Sequence, residues 1–171
     1  MKTNDAGNSI LDGLMEGCQV IDREYRYRYV NDAAAVHGRT SVSALLGQKM
    51  QEAYPGIEKS HMFAVLRECM NERTAHQMEN EFEYEDGSKG WFELRFEPVP
   101  EGVFILSLDI TDRKRADEAL KRANRLLKML SDCNQSIIRA TDESRLISRI
   151  CDIATQVGEC LVASVYMRDE H

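Results

Sequence analysis

The sequence predicts an α+β chain in which strands and short helices alternate before a long C-terminal helix takes over. Three observations predict it. Apolar residues recur at every second position within residues 18–30 and again within 78–108, the period of a half-buried strand. The intervening stretch is punctuated by Gly38, Gly47 and Pro55-Gly56, and its pieces have helical spacing. From residue 112 onward, apolar residues step by four and three without a fault.

The 171 residues suffice for one domain with a core, plus an appendage. No apolar run is long enough to cross a bilayer, and MKTNDAGNSI lacks the apolar centre of a signal peptide, so a cytoplasmic location without membrane insertion is expected. The five cysteines are scattered, with no CxxC or Cys/His pair at metal-ligand spacing; reduced thiols and no metal site are expected. Residues 1–110 hold 11 basic and 19 acidic side chains, a net of −8, whereas residues 111–171 carry a net of +1. An acidic body lacks the clustered basic face that nucleic-acid binding needs.

In chain order, SILDGLM (residues 9–15) reads as a short amphipathic helix after a tail, residues 1–8. CQVID (18–22) and residues 25–30, with Tyr25, Tyr27 and Tyr29 alternating, read as strands joined by a turn at Asp22-Arg23-Glu24. Asn31-Asp32 caps a helix ended by Gly38, and SVSALLGQKM holds another that stops near Gly47. Residues 57–72 form a longer helix with Met62, Val65, Leu66, Cys69 and Met70 on one stripe.

Three strands follow. Met78, Asn80, Phe82 and Tyr84 alternate with a row of glutamates, so one face is core and the other solvated. Asp86-Gly87-Ser88 turns the chain, and Phe92, Leu94 and Phe96 continue the inward face until Pro98 and Pro100 end the strand. In VFILSLDI, Phe104, Leu106 and Leu108 oppose Val103, Ile105 and Ser107; a strand apolar on both faces requires cover on both, here by core helices and by residues 9–15, the output helix or a partner. Beyond it, Ala116, Leu120, Ala123, Leu127, Leu130, Asn134 and Ile137 form a seam with basic residues outside, read as a coiled coil over 113–140. Thr141-Asp142 interrupts the helix, and residues 143–157 form a second amphipathic one with Leu146, Ile147, Ile150, Ile153, Ala154 and Val157 inward; CLVASVYM then starts a strand.

Three segments carry a family likeness. YRYVNDAAAVHGRTSVSALLGQ is an aromatic strand ending in Val-Asn before an Ala-rich helix, EDGSKGWFELRFEPV is a hairpin with Asp-Gly at the turn, and LDIT (108–111) closes the last strand. In this order and spacing they resemble a PAS domain over residues 9–112. The resemblance implies a five-stranded antiparallel sheet with short helices on one face, followed by a long signalling helix. Residues 141–171, through LISRICDIA and VASVY, resemble the first part of a GAF domain, and the chain ends before such a domain would close.

A PAS-like arrangement encloses a pocket between sheet and helices. By alternation Asn80, Phe82, Tyr84, Phe92, Leu94, Phe96, Ile105 and Ser107 face it, with Val65 and Leu66 opposite. The plain reading is core packing. Asn80 and Ser107 are polar at inward positions and are the expected hydrogen-bonding groups for any ligand. Asp109, Ile110 and Thr111 join the last strand to the signalling helix, with Thr111 or Asp112 expected to cap it.

No phosphate loop or Ser/His/Asp order is present, so the chain is expected to be a sensor fragment rather than an enzyme. The function expected is a sensory and dimerisation module. It would pass ligand or packing changes through a coiled coil to downstream GAF and kinase domains, as in a histidine kinase. A ligand-free scaffold for dimerisation and spacing is the alternative. The cofactor is open. The photoactive Asn-Cys-Arg motif of flavin sensors is missing where TSVSALLG stands. For a haem gas or redox sensor the resemblance offers His61, followed six residues later by Arg67, as an axial ligand. Glu81 and the place of His61 at the edge of the apolar stripe count against it.

Overall fold

The computed structural model describes residues 11–84, 86–139, 143–156 and 163–164. The chain divides between Asp112 and Arg113 into two compact units.

The first unit is built on one antiparallel sheet. Its strands are β1 (Gly17–Asp22), β2 (Tyr27–Val30), β3 (His76–Glu83), β4 (Lys89–Val99) and β5 (Gly102–Asp109), in the order β2-β1-β5-β4-β3. Between β2 and β3 run α1 (Asp32–His37), α2 (Val42–Leu45), α3 (Met50–Ala53), a 3₁₀ turn (Ile57–Lys59) and α4 (His61–Glu72). Met62, Phe63, Leu66, Cys69 and Met70 of α4 are buried, as are Ile21, Phe92, Leu94, Phe96, Val103 and Ile105 of the sheet. Helices and sheet thus share one apolar core. Phe96 and Leu66 are fully enclosed, and truncating such a side chain to alanine typically costs about 3–5 and 2–5 kcal/mol respectively.

Local chemistry explains most boundaries. Asn31 caps α1 by accepting from the Ala34 N–H, and Ser41 caps α2 by accepting from the Ala44 N–H. Ser60 does the same for α4, accepting from the Phe63 N–H. This serine breaks the helix expected over 57–72, because its extended backbone (φ −77°, ψ 152°) separates the 3₁₀ turn from α4. Tyr25 stands in the β1–β2 turn at φ 62° and not in a strand. The short helix α3 was not anticipated: four residues are too few to show a period. Of the segment expected helical over 9–15, the helix ends at Asp12, and residues 9 and 10 lie outside the described residues.

Pro98 does not end β4. The strand runs on to Val99, opposite Val103 and Gly102 of β5. The ladder with β3 stops at Phe96 opposite His76, so from Glu97 onward β4 is paired on one side only, where a residue without an N–H is tolerated. On the outer face of β5, Phe104 and Leu106 are half-buried, and Leu108 is 43% exposed. Of the segment expected to help cover this strip, Met15 is 90% exposed, and residues 9 and 10 lie outside the described residues.

The second unit contains α5, which begins at the junction and runs from Thr111 to Arg139, and α6 (Glu143–Gln156). Leu120, Leu127, Leu130 and Ile137 are 53–64% exposed, and Ala116, Ala123 and Asn134 are exposed with them. Asp117 and Lys121 form an i,i+4 pair at 2.6 Å on the same helix. The apolar side of α6 is half-buried at Leu146, Ile147, Ile150, Ile153 and Ala154. Val157 and nearly all of CLVASVYM lie outside the described residues.

Candidate functional site

Two connected cavities open between the helices and the sheet. The inner one, about 90 Å3, reaches the sheet at Gln19, Phe92, Leu94, Ile105 and Ser107 and is roofed by Ala34, His37, Leu45, Met50 and Met62. The outer one is a cleft of about 780 Å3 between β3 and the α1–α4 connections. They share Gly38, Leu45, Tyr54, Ile57, Met62, Asn80 and Phe82, which form the waist between them.

The waist is aromatic. Phe82 meets Tyr54 edge-on at 5.7 Å and Tyr84 at 5.0 Å. The Tyr54 hydroxyl donates to the Gly38 carbonyl at 3.4 Å, and the Tyr84 hydroxyl to the His37 carbonyl at 2.8 Å. Two side chains from the edge strand and the helical side are thereby fastened to the C-terminal end of α1. Arg39 covers Tyr84 with its guanidinium 3.7 Å from the ring centre and pairs with Asp86 at 2.7 Å. Burial pushes both phenols up, and for Tyr84 the Arg39 charge opposes the rise.

His37 closes the inner end. Its Nδ1 lies 3.0 Å from the Ser107 hydroxyl, which donates to the Gly17 carbonyl at 3.3 Å, and its ring packs at a tilt of 42° against Phe92, with centres 5.0 Å apart. Burial holds His37 below the usual imidazole range, and the Asp109 carboxylate opposes that. The approach of α1 to β1 needs a glycine at position 17: a Cβ there would overlap the Ser107 hydroxyl, the Ala34 backbone and His37.

The strand–helix junction lies two residues beyond Ser107. Asp109 Oδ1 accepts the Thr111 N–H at 2.8 Å. The Trp91 N–H donates to Thr111 Oγ1 at 2.9 Å, and the Ile110 N–H donates to the Trp91 carbonyl at 2.9 Å. Ile110 is buried. The cap therefore comes from Asp109, two residues upstream of Thr111 and three of Asp112, the caps expected, while Thr111 binds the first residues of α5 to β4.

Of the ten expected pocket residues, Asn80 and Phe82 line both cavities, Tyr84 the outer, and Phe92, Leu94, Ile105 and Ser107 the inner. Val65, Leu66 and Phe96 line neither; Leu66 and Phe96 are in closed core, and Val65 is half-buried against it. Strand alternation identifies the inward face but not where that face meets a void. The reading missed His37, Tyr54 and Met62. His37 follows Ala34 by three, one helical turn along the buried side of α1, and that spacing was the available signal. Ser107 is already partnered, whereas Asn80 makes no side-chain hydrogen bond among the described residues. His61 is exposed at the first turn of α4 and borders neither cavity, so it does not fit the role of a haem ligand. Among the described residues no group of three or more metal-ligating side chains gathers.

A family model described as the PAS fold matches residues 11–115. Among solved structures, the PAS domain of a protein from Colwellia psychrerythraea is similar over 64% of this chain and 98% of its own, with 16% identity and a TM-score of 0.53. An RNA-binding Light-Oxygen-Voltage receptor aligns over 73% of this chain and 37% of its own, at 18% identity and a TM-score of 0.56. VqmA bound to DPO aligns over 61% and 56%, at 15% identity and 0.53. At these identities the likeness is one of fold. A search of curated protein sequences finds no match. With the strand order β2-β1-β5-β4-β3, the helices between β2 and β3, and a family model that spans the whole sheet and the junction, the chain belongs to the PAS-fold family.

Proposed function

We propose that this chain is a regulatory sensory and dimerisation module whose sheet reports to a downstream output domain through α5. The observation that carries the reading is the junction: Asp109 and Thr111 tie the start of α5 to the Trp91 backbone of β4. Phe92, the next residue, lines the inner cavity and sits opposite Asp109 in the ladder. A shift in the packing of Phe92, Ser107 or His37 therefore acts on the strands that hold the helix. The exposed apolar seam of α5 supports a dimer as the receiver, and the strip at Phe104, Leu106 and Leu108 supplies further self-association surface. A histidine kinase is the output that suits such a helix, with a GAF-like domain between.

A ligand-free spacer is the second reading. Its support is the inner cavity, whose 90 Å3 is below the roughly 150 Å3 of a void that holds benzene. The test joins this chain in heptad register to a histidine-kinase core. Asp109→Ala and Thr111→Val should flatten the response of autophosphorylation to pocket substitutions such as Phe92→Leu, while melting stays close to wild type. A response that survives both substitutions removes the junction as the route. A kinase indifferent to pocket substitutions from the outset supports the spacer.

A further inference from the structure

The two edges of the sheet are treated differently. The β2 edge is plugged by the α2–α3 connection: Tyr27 donates to the Gln48 carbonyl at 3.0 Å, Gly47 to the Tyr27 carbonyl at 2.8 Å, and Met50 to the Tyr25 carbonyl at 2.9 Å. The β3 edge has no strand beyond it among the described residues. Its polarity follows from the hairpin. The Tyr84 N–H donates to the Ser88 carbonyl, so Tyr84, Phe82 and Asn80 spend their backbone groups on β4. Glu81 and Glu83 then direct N–H and C=O to the open edge. Their side chains stand on the exposed outer face, yet both residues line the outer cleft, as do all five residues from Asn80 to Tyr84. An unbroken run of both parities means that the cleft follows the strand edge.

We propose that this cleft is a strand-addition site that takes an extended basic peptide. Backbone pairing with Glu81 and Glu83 supplies the hydrogen bonds. Alternate side chains of the guest then point inward at the waist, where Tyr54, Met62 and Phe82 frame the inner cavity. The 90 Å3 there suits a small aliphatic side chain such as valine. Charge selects the rest. Glu52, Glu81, Glu83 and Asp86 line the cleft against Arg39 alone, and Arg39 is engaged by Asp86 and Tyr84. Lys89 offsets Glu81 only. Lysines at the alternate positions of the guest would face these carboxylates. A second copy pairing β3 to β3 would instead set glutamates opposite glutamates, which is unfavourable. The proposal stands apart from the sensing reading and requires neither α5 nor an output domain.

Fluorescence anisotropy on the full chain tests it, with a labelled Lys-Val-Lys-Val-Lys peptide as probe. The basic peptide should bind at least tenfold more tightly than Glu-Val-Glu-Val-Glu. N-methylation of the amides that pair with the edge should weaken it at least tenfold. Glu83→Pro removes one edge N–H without touching the β4 ladder and should abolish binding, whereas Glu83→Gln, which keeps the backbone, should weaken it only a few-fold. Equal binding of the methylated peptide, or undiminished binding by Glu83→Pro with its melting intact, overturns the proposal. So does assembly of the chain beyond a dimer that Glu83→Pro abolishes, which would make the occupant of the edge a second copy. If Glu83→Pro fails to fold, the methylated peptide decides alone.

Discussion

The side chain of Asn31 is 1% exposed and uses its whole hydrogen-bonding capacity. Its Oδ1 accepts from Cys18 and Ala34, and its Nδ2 donates to the carbonyls of Leu11 and Glu16. One amide thus caps α1, anchors β1 and ties down the segment before it. Asn31→Ala removes a cap worth about 1 kcal/mol and strands buried groups at about 1–3 kcal/mol, so urea denaturation should show a loss of about 2–4 kcal/mol. Asn31→Asp keeps both acceptors and loses both donors; it should preserve α1 while raising protease cutting near residues 11–16. His37 gives a pH prediction. Burial holds its folded-state pKa below the ordinary imidazole value of about 6.5, so the unfolded chain binds the extra proton first. Stability is then highest above about pH 6.5 and falls as the pH drops from there through the lower folded-state value. Asp109 is the charge that opposes the shift, so His37→Gln should flatten the fall in melting temperature over that window, and Asp109→Asn should steepen it. Identical slopes for wild type and His37→Gln would remove the imidazole from the account.

At the scale of elements, the junction separates coupling from folding. Asp109 is exposed, and its one cap bond lies at the helix start, so Asp109→Ala should cost no more than about 1 kcal/mol. It should nevertheless shift the emission of Trp91, the only tryptophan, whose backbone N–H donates to the neighbouring Thr111 hydroxyl. An unchanged spectrum, or a loss of several kcal/mol, would assign Asp109 to the fold alone. The elements also show what could be read in advance. Alternation in β3 and β4 is legible because each residue has one dry and one wet side: Met78, Asn80 and Phe82 are half-buried and Glu79, Glu81 and Glu83 exposed. The capped helix α1 is legible because Asn31 and Gly38 are local signals. The break at Ser60 and the continuation through Pro98 are not, because each depends on a tertiary circumstance: a cap favoured over helix continuation, and a neighbouring strand that has already ended. The cavity was half legible for the same reason. Phe82 and Ser107 follow from parity, but His37 stands at the end of α1 and Tyr54 just after α3, and their approach depends on Gly17 and Gly38: a Cβ at Gly17 would overlap Ser107, Ala34 and His37, and one at Gly38 the Tyr54 hydroxyl.

At the scale of the molecule, the 29-residue α5 is about 44 Å long and carries an apolar seam exposed to solvent along its own chain. The steps from Ala116 through Leu120, Ala123, Leu127, Leu130 and Asn134 to Ile137 place Leu120, Leu127 and Asn134 at a positions and the other four at d. The flanking e and g positions hold Asp117, Ala119, Asn124, Leu126, Ser131 and Cys133, with one charge among them. Interhelical ion pairs therefore do little to choose orientation, and the task falls to Asn134, which meets its own copy only in a parallel, in-register pair. The expected state is a parallel homodimer. Light scattering on a chain ending at Asp112 should show a loss of dimer mass, and Leu127→Asp in the full chain should do the same by placing a carboxylate in the seam. Asn134→Leu separates affinity from specificity. Association should tighten by about tenfold or more because a buried polar pair is replaced by leucines, and species other than the parallel dimer should appear in sedimentation and cross-linking. Tighter association with a single unchanged species would show that register is set elsewhere, and the outer strip of Phe104, Leu106 and Leu108 is the surface to substitute next.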